Sequence, residues 1–209
     1  MNKIIKLYYD HKVVGDPNKA IIAIHGWGGD SSSMKPLVDL MKIENCKWFF
    51  PEATYNREEG GKSWTYQKDD GTYEREEPIK MMREFIKQEV LCSFNSRDLF
   101  IIGFSQGALM CYECILNMDI EFGGVFPIGG FIAERDKKSS HYPNKALKNT
   151  PIIIGHGRED DIVSYQSSEY AYDIINKNNF NVELVLYSGG HKIGIEYLRR
   201  AKSIINKKK

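Results

Sequence analysis

The sequence predicts an α/β architecture: a mainly parallel sheet with helices on both faces. Two observations predict it. Short apolar runs alternate with helix-like stretches from end to end, the order that builds a parallel sheet flanked by helices. Three of the runs, at residues 21–24, 99–102 and 151–154, are continuous rather than alternating, as strands covered on both faces require.

In chain order, residues 4–9 read as an exposed edge strand and 21–24 as the first buried strand, followed by an amphipathic helix over 33–43. A helix over 76–93 comes next, with Ile79, Met82, Phe85, Ile86 and Val90 on its apolar side and Pro78 near its first turn. Strands at 99–102, 124–128, 151–154 and 182–186 then alternate with helices at 106–118, 164–177 and 193–206. Two polar stretches, 54–73 and 133–149, read as long loops, which in compact domains are often functional. No repeat or low-complexity linker divides the chain, so one domain over 1–209 is expected.

Composition narrows the function. The 209 residues include 42% hydrophobic and 27% charged side chains, a globular balance. Lys plus Arg number 29 against 28 for Asp plus Glu, a net charge of +1 that offers no field for gathering nucleic acid or anionic lipid. Lys207-Lys208-Lys209 reads as a frayed solubilising end. No stretch approaches the roughly 20 apolar residues of a membrane span, and Lys6, Asp10, His11 and Lys12 break up any signal-peptide core. Four cysteines in this length are not a disulfide framework, so a reducing cytoplasm is expected. Cys111-x-x-Cys114 lies on one side of a helix with Ala108, Leu109 and Ile115 and reads as two buried thiols; without a second ligand pair, neither a metal nor a cofactor is expected. The chain is expected to be a monomer or homodimer.

The chemistry starts at Ile101-Ile102-Gly103-Phe104-Ser105-Gln106-Gly107-Ala108. A Gly-x-Ser-x-Gly run between a strand and a helix places a serine on a sharp turn that only small neighbours tolerate. The hydroxyl is lifted clear of the sheet beside helix N–H groups that can stabilise an oxyanion. Ser105 is the candidate nucleophile; a helix-capping serine beside a glycine turn leaves the paired glycines unexplained.

A serine needs a base. Of His11, His25, His141, His156 and His191, the last follows the final strand on a glycine-rich loop, where the chain order Ser, acid, His places it. The acid is expected in Gly155-His156-Gly157-Arg158-Glu159-Asp160-Asp161, with Asp160 chosen over Glu159 and Asp161. His25-Gly26-Trp27-Gly28 follows the first buried strand, so the oxyanion donors are assigned to the backbones of Trp27 and Gln106. His25 and His156 read as loop hydrogen-bonding residues.

With these residues placed, the chain resembles the carboxylesterase, phospholipase and acyl-protein thioesterase group of α/β-hydrolases. The resemblance is carried by His25-Gly26-Trp27-Gly28, Gly103-Phe104-Ser105-Gln106-Gly107-Ala108, His156-Gly157-x-x-Asp160-x-x-Val163 and His191, and it covers most of the chain. It implies a minimal hydrolase with no large cap, cleaving esters or thioesters through an acyl-enzyme. It also places Asp160 at the acid position and makes Ser63-Trp64 similar to the group's Ser-Trp element near the acyl pocket. Asp161 and Ser164 stand where the group often has prolines, and the 58–70 loop is unusually charged. Trp27, Trp64 and Tyr66 are the expected apolar walls of the substrate site, and short to medium acyl esters the expected substrates. Acyl-protein thioesterase or lysophospholipase activity is the alternative within this class. A non-catalytic ligand-binding protein on the same fold is the alternative outside it.

Overall fold

The computed structural model describes residues 6–132 and 142–207. Its main sheet has seven strands: β1 (Tyr9–Val14), β2 (Lys19–Ile24), β3 (Cys46–Pro51), β8 (Leu99–Phe104), β9 (Gly124–Ile128), β10 (Ile152–Gly157) and β11 (Val182–Tyr187), in the order β1-β3-β2-β8-β9-β10-β11. β1 runs antiparallel to β3 and every other pair is parallel. The helices are α1 (Pro36–Met41), α2 (Glu76–Phe85), α3 (Gln106–Glu113), α4 (Gln166–Lys177) and α5 (Ile195–Lys207).

Alternation within the strands explains how continuous apolar runs serve two cores. Ile22 and Ile24 of β2, Leu99 and Ile101 of β8 and Ile152 and Ile154 of β10 pack with Met82 of α2, Met110 of α3 and Ile175 of α4. The intervening Ile21, Phe100, Ile102 and Ile153 face the opposite side, with Leu37 and Val38 of α1 and Tyr197 and Leu198 of α5. Both faces of the sheet are thus dry, the condition that favours runs of Ile over polar alternation.

Three elements differ from the sequence expectation. β3 was not anticipated, because its apolar core Trp48-Phe49-Phe50 is short and is flanked by Lys47 and Pro51. The edge strand is Tyr9–Val14 rather than 4–9; it pairs along one side only and keeps Asp10, His11 and Lys12 towards solvent, so its composition carries little strand signal. Of the earlier span, Ile4 and Ile5 lie outside the described residues, while Leu7 is buried in the core. The 54–73 stretch folds into two small hairpins, β4 (Tyr55–Asn56) with β5 (Lys62–Ser63) and β6 (Tyr66–Gln67) with β7 (Tyr73–Glu74). The 133–149 loop falls largely outside the described residues, as do His141, Lys208 and Lys209.

The helices are shorter than their apolar patterns. α1 stops where Lys42 turns left-handed at φ 47°, and α2 widens at Ile86–Val90 into a π-helical turn that keeps Ile86 and Val90 buried. Among the described residues no helix is long and apolar enough to cross a membrane. The parallel strands all end on one side, so the loops after β2, β8, β9, β10 and β11 converge there, where open α/β sheets bind their ligands.

Candidate active site

Ser105 joins β8 to α3 with φ 55° and ψ −115°, a conformation rarely open to a non-glycine residue. Its N–H donates to Ile128 O at 2.8 Å, and its carbonyl accepts from Ala108 and Leu109 at 2.9 and 3.2 Å. The flanking glycines are required by contact. A Cβ on Gly103 would lie 2.2 Å from Gly107 O, and one on Gly107 would lie 2.2 Å from Ile24 O. The helix is therefore pressed against β8 and the end of β2 at both positions. Ser105 makes no capping hydrogen bond with its side chain.

That side chain is engaged elsewhere. Ser105 Oγ and His191 Nε2 are 2.9 Å apart, and His191 Nδ1 lies 2.7 Å from Asp160 Oδ2. An ionised carboxylate only accepts, so Nδ1–H donates to it and Nε2 is left to accept the Ser105 hydroxyl. The Phe104 ring lies beside the imidazole, 4.9 Å between centroids. Asp160 is 1% exposed in its side chain, and its Oδ1 accepts the N–H groups of Ile162 and Val163, each at 2.9 Å. Burial opposes its ionisation, but those N–H donors and His191 outweigh it and hold the carboxyl below the usual Asp value of 3.8. The neighbouring Asp161 is exposed. Glu159 instead bonds the N–H of Gly189, anchoring the loop that carries His191.

The expected oxyanion donors belong to two loops tied to one strap. Gly26 lies against Ser105, an added Cβ falling 3.1 Å from the serine Cβ. No acceptor among the described residues takes the backbone N–H of Trp27 or Gln106. Gly28 N–H donates to Lys62 O at 2.8 Å, and Lys62 N–H donates to Gly29 O at 2.9 Å. The Gln106 side chain grips the same strap, accepting from Trp64 N–H at 2.8 Å and donating to Thr65 Oγ1 at 2.8 Å. Trp64 Nε1–H then reaches His25 O at 3.0 Å. His25 is fully buried; its Nε2 accepts from Ala53 N–H at 3.1 Å and its Nδ1–H donates to Gly26 O at 2.7 Å. Burial lowers the basicity of that imidazole. The structural reading of His25 therefore agrees with its position.

A cleft of about 770 Å³ opens above Ser105, with Trp27, Tyr66, Tyr73, Leu109 and Phe131 among its walls. Trp27 and Tyr66 are 61% and 53% exposed. Trp64 is not among the lining residues: it is fully buried, its ring 5.3 Å from that of His25, so it supports the strap instead of facing a ligand. The expectation that Trp64 forms a wall is corrected accordingly. Sequence reasoning missed Phe131, although Gly129-Gly130 at the end of β9 marks another loop on the same edge. It also missed Arg57, whose guanidinium lies 3.4 Å over the Trp27 ring and whose Nη1 donates to Gly60 O at 3.2 Å. Arg75, also in the wall, is braced by the buried Glu113 at 3.0 Å. Nothing in the local sequence pairs those residues.

Cys111 and Cys114 are free and buried, and burial pushes the Cys114 thiol up to about 12. Among the described residues no group of His, Cys, Asp and Glu has the arrangement to hold a metal ion.

Known proteins share this arrangement of chain. The model of the phospholipase/carboxylesterase family matches residues 14–209. Carboxylesterase SOBER1 of Arabidopsis thaliana is 26% identical over 206 residues, covering 90% of each chain. Acyl-protein thioesterase 1 of Debaryomyces hansenii is 29% identical over 212 residues, again covering 90% of each. The crystal structure of SOBER1 superposes with a TM-score of 0.77 over 90% of this chain and 98% of that one. The Bacillus cereus carboxylesterase, 18% identical, gives a TM-score of 0.80 over 99% of this chain and 95% of that one and supports the fold alone. The fold is that of an α/β-hydrolase without a large cap, and the chain belongs to the phospholipase/carboxylesterase family.

Proposed function

We propose that the protein hydrolyses carboxylic esters of short to medium acyl chains through a Ser105–His191–Asp160 triad. The observation that carries the proposal is the unbroken relay from Ser105 Oγ through His191 to Asp160, at 2.9 and 2.7 Å, on three strand-end loops. His191 takes the Ser105 proton as the oxygen attacks the acyl carbon. Asp160 stabilises the imidazolium that results, and the N–H groups of Trp27 and Gln106 receive the negative oxygen. The imidazolium then protonates the leaving alcohol, and a water activated by His191 releases the acid from Ser105.

The reading for modest acyl groups is supported by a cleft walled by aromatic rings and by the Arg57–Trp27 stack, on a fold without a large cap. A thioesterase acting on acylated protein is a second reading, favoured by the exposure of Trp27, Tyr66, Tyr73 and Phe131 at the rim and by the Debaryomyces relative. Turnover of nitrophenyl acetate, butyrate, octanoate and palmitate at matched solubility separates them. A maximum at butyrate or octanoate is expected; a clear palmitate preference supports the second reading.

A further inference from the structure

His156, near the end of β10, is fully buried and both its ring nitrogens are committed. Nε2 faces two oxygens, Val163 O at 2.8 Å and Asp160 Oδ2 at 3.0 Å. Carbonyl and carboxylate oxygens only accept, so Nε2 carries the hydrogen and shares it between them. Nδ1, 2.7 Å from Ser168 Oγ on α4, accepts that hydroxyl when the ring is neutral. The oxygen that receives His156 is the same Oδ2 that receives Nδ1–H of His191. Loop packing does not call for this contact. Val163 O alone would satisfy Nε2–H, and Oδ1 is already held by two backbone N–H groups.

We propose that His156 is a positioning residue for the reaction, a second imidazole that fixes Asp160 Oδ2 and withdraws part of the charge it presents to His191. The proposal rests on the triad assignment above. Asp160 is shielded from solvent, so a donor on its oxygen is not screened and alters what the carboxylate offers its other partner. With His156 in place, the carboxylate stabilises the imidazolium form of His191 less than it otherwise would. The other ionisable groups nearby do not substitute for this contact. Glu159 bonds Gly189 N–H and the Ser188 hydroxyl, Arg158, Asp161 and Lys192 are exposed, and Tyr187 donates to Lys192 O. Tyr112 of α3 and Tyr187 of β11 are kept neutral by burial.

The test is the acidic limb of kcat/KM for nitrophenyl butyrate in wild type, His156→Phe, His156→Gln and Ser168→Ala. Removing the donor in His156→Phe should move the limb to higher pH by about 0.5–1 unit. His156→Gln puts an amide N–H where Nε2 lies and should bring the limb back towards wild type. Ser168→Ala keeps the ring and its Nε2–H but removes the hydroxyl that holds Nδ1 and so fixes how the ring is seated against Asp160 Oδ2, and should move the limb in the same direction by less. A limb unmoved in folded His156→Phe overturns the proposal. So does an equal displacement in the Phe and Gln variants, which would assign the effect to packing. If neither His156 variant folds, Ser168→Ala decides: a limb displaced upward supports the proposal and an unmoved one overturns it. A wild-type limb that ignores every variant defeats the role of His156 and leaves the triad standing. A wild-type chain without esterase activity defeats the triad assignment, and this role with it.

Discussion

Asp160 and His191, 31 positions apart in sequence, meet at 2.7 Å between Oδ2 and Nδ1, while Asp161 beside Asp160 faces solvent. The turn that makes this choice is built by Asp160 itself, whose other oxygen accepts the N–H groups of Ile162 and Val163. Asp160→Asn should keep the fold and lower turnover by up to about 10⁴-fold, because an amide favours the wrong imidazole tautomer. Asp161→Asn should cost less than about threefold, as expected of a surface change. Turnover of one ester, with circular dichroism as the folding control, checks the pair; a crippled Asp161→Asn beside a normal Asp160→Asn would exchange their roles.

Activity and stability should respond to acid through different groups. Acylation needs a neutral His191, so kcat/KM should fall as that imidazole takes up a proton. Asp160, held below its usual value of 3.8, is still ionised at that point. A lowered carboxyl stabilises the fold above its unfolded pKa, and the contribution is lost as pH falls through the folded value. Activity should therefore disappear at a pH where the protein is still folded. Parallel pH profiles of kcat/KM and thermal unfolding check this; coincident losses would contradict it.

The two aromatic residues of the Ser63–Tyr66 segment should behave differently. Trp64→Phe removes the Nε1–H bond to His25 O from a buried site and should cost about 1–3 kcal/mol of stability without changing acyl-chain preference. Tyr66→Ala opens the cleft wall and should change that preference with little effect on stability. Denaturant melts and a chain-length panel on both variants distinguish supporting from lining residues.

Gln106 carries two functions in one residue, a backbone N–H beside Ser105 and a side chain clamped to Trp64 and Thr65. Gln106→Leu keeps the N–H but releases the strap. On the proposed oxyanion role it should lower kcat by about 10–10²-fold with KM little changed, since a displaced donor is missed in the transition state. A rise in KM at constant kcat would instead place the side chain in substrate binding.

Much of this was legible because the relevant signals are local. Buried parallel strands announce themselves as runs of Ile, and the glycines around Ser105 are dictated by main-chain contacts of 2.2 Å that no other residue could accommodate. Strand ends pointed to His191 and to the turn holding Glu159, Asp160 and Asp161, and the resemblance singled out Asp160 among the three. The hidden parts depend on distant partners. β1 owes its place to β3, and β3 to β2 and β1 on its two sides, rather than to composition. The resemblance of Ser63-Trp64 to a Ser-Trp element near the acyl pocket points to a wall, whereas Gln106 and His25 draw Trp64 under the cleft. The Arg75–Glu113 pair and the Arg57–Trp27 stack join segments with no common periodicity.

The central claim is that Ser105 Oγ, activated by His191, carries the acyl group. Its most direct test is to react wild type and Ser105→Ala with a fluorophosphonate and locate the adduct by peptide mass spectrometry. The account predicts one adduct, on the peptide containing Ser105, and none in the alanine variant. An adduct on another residue, or equal labelling of Ser105→Ala, would contradict it.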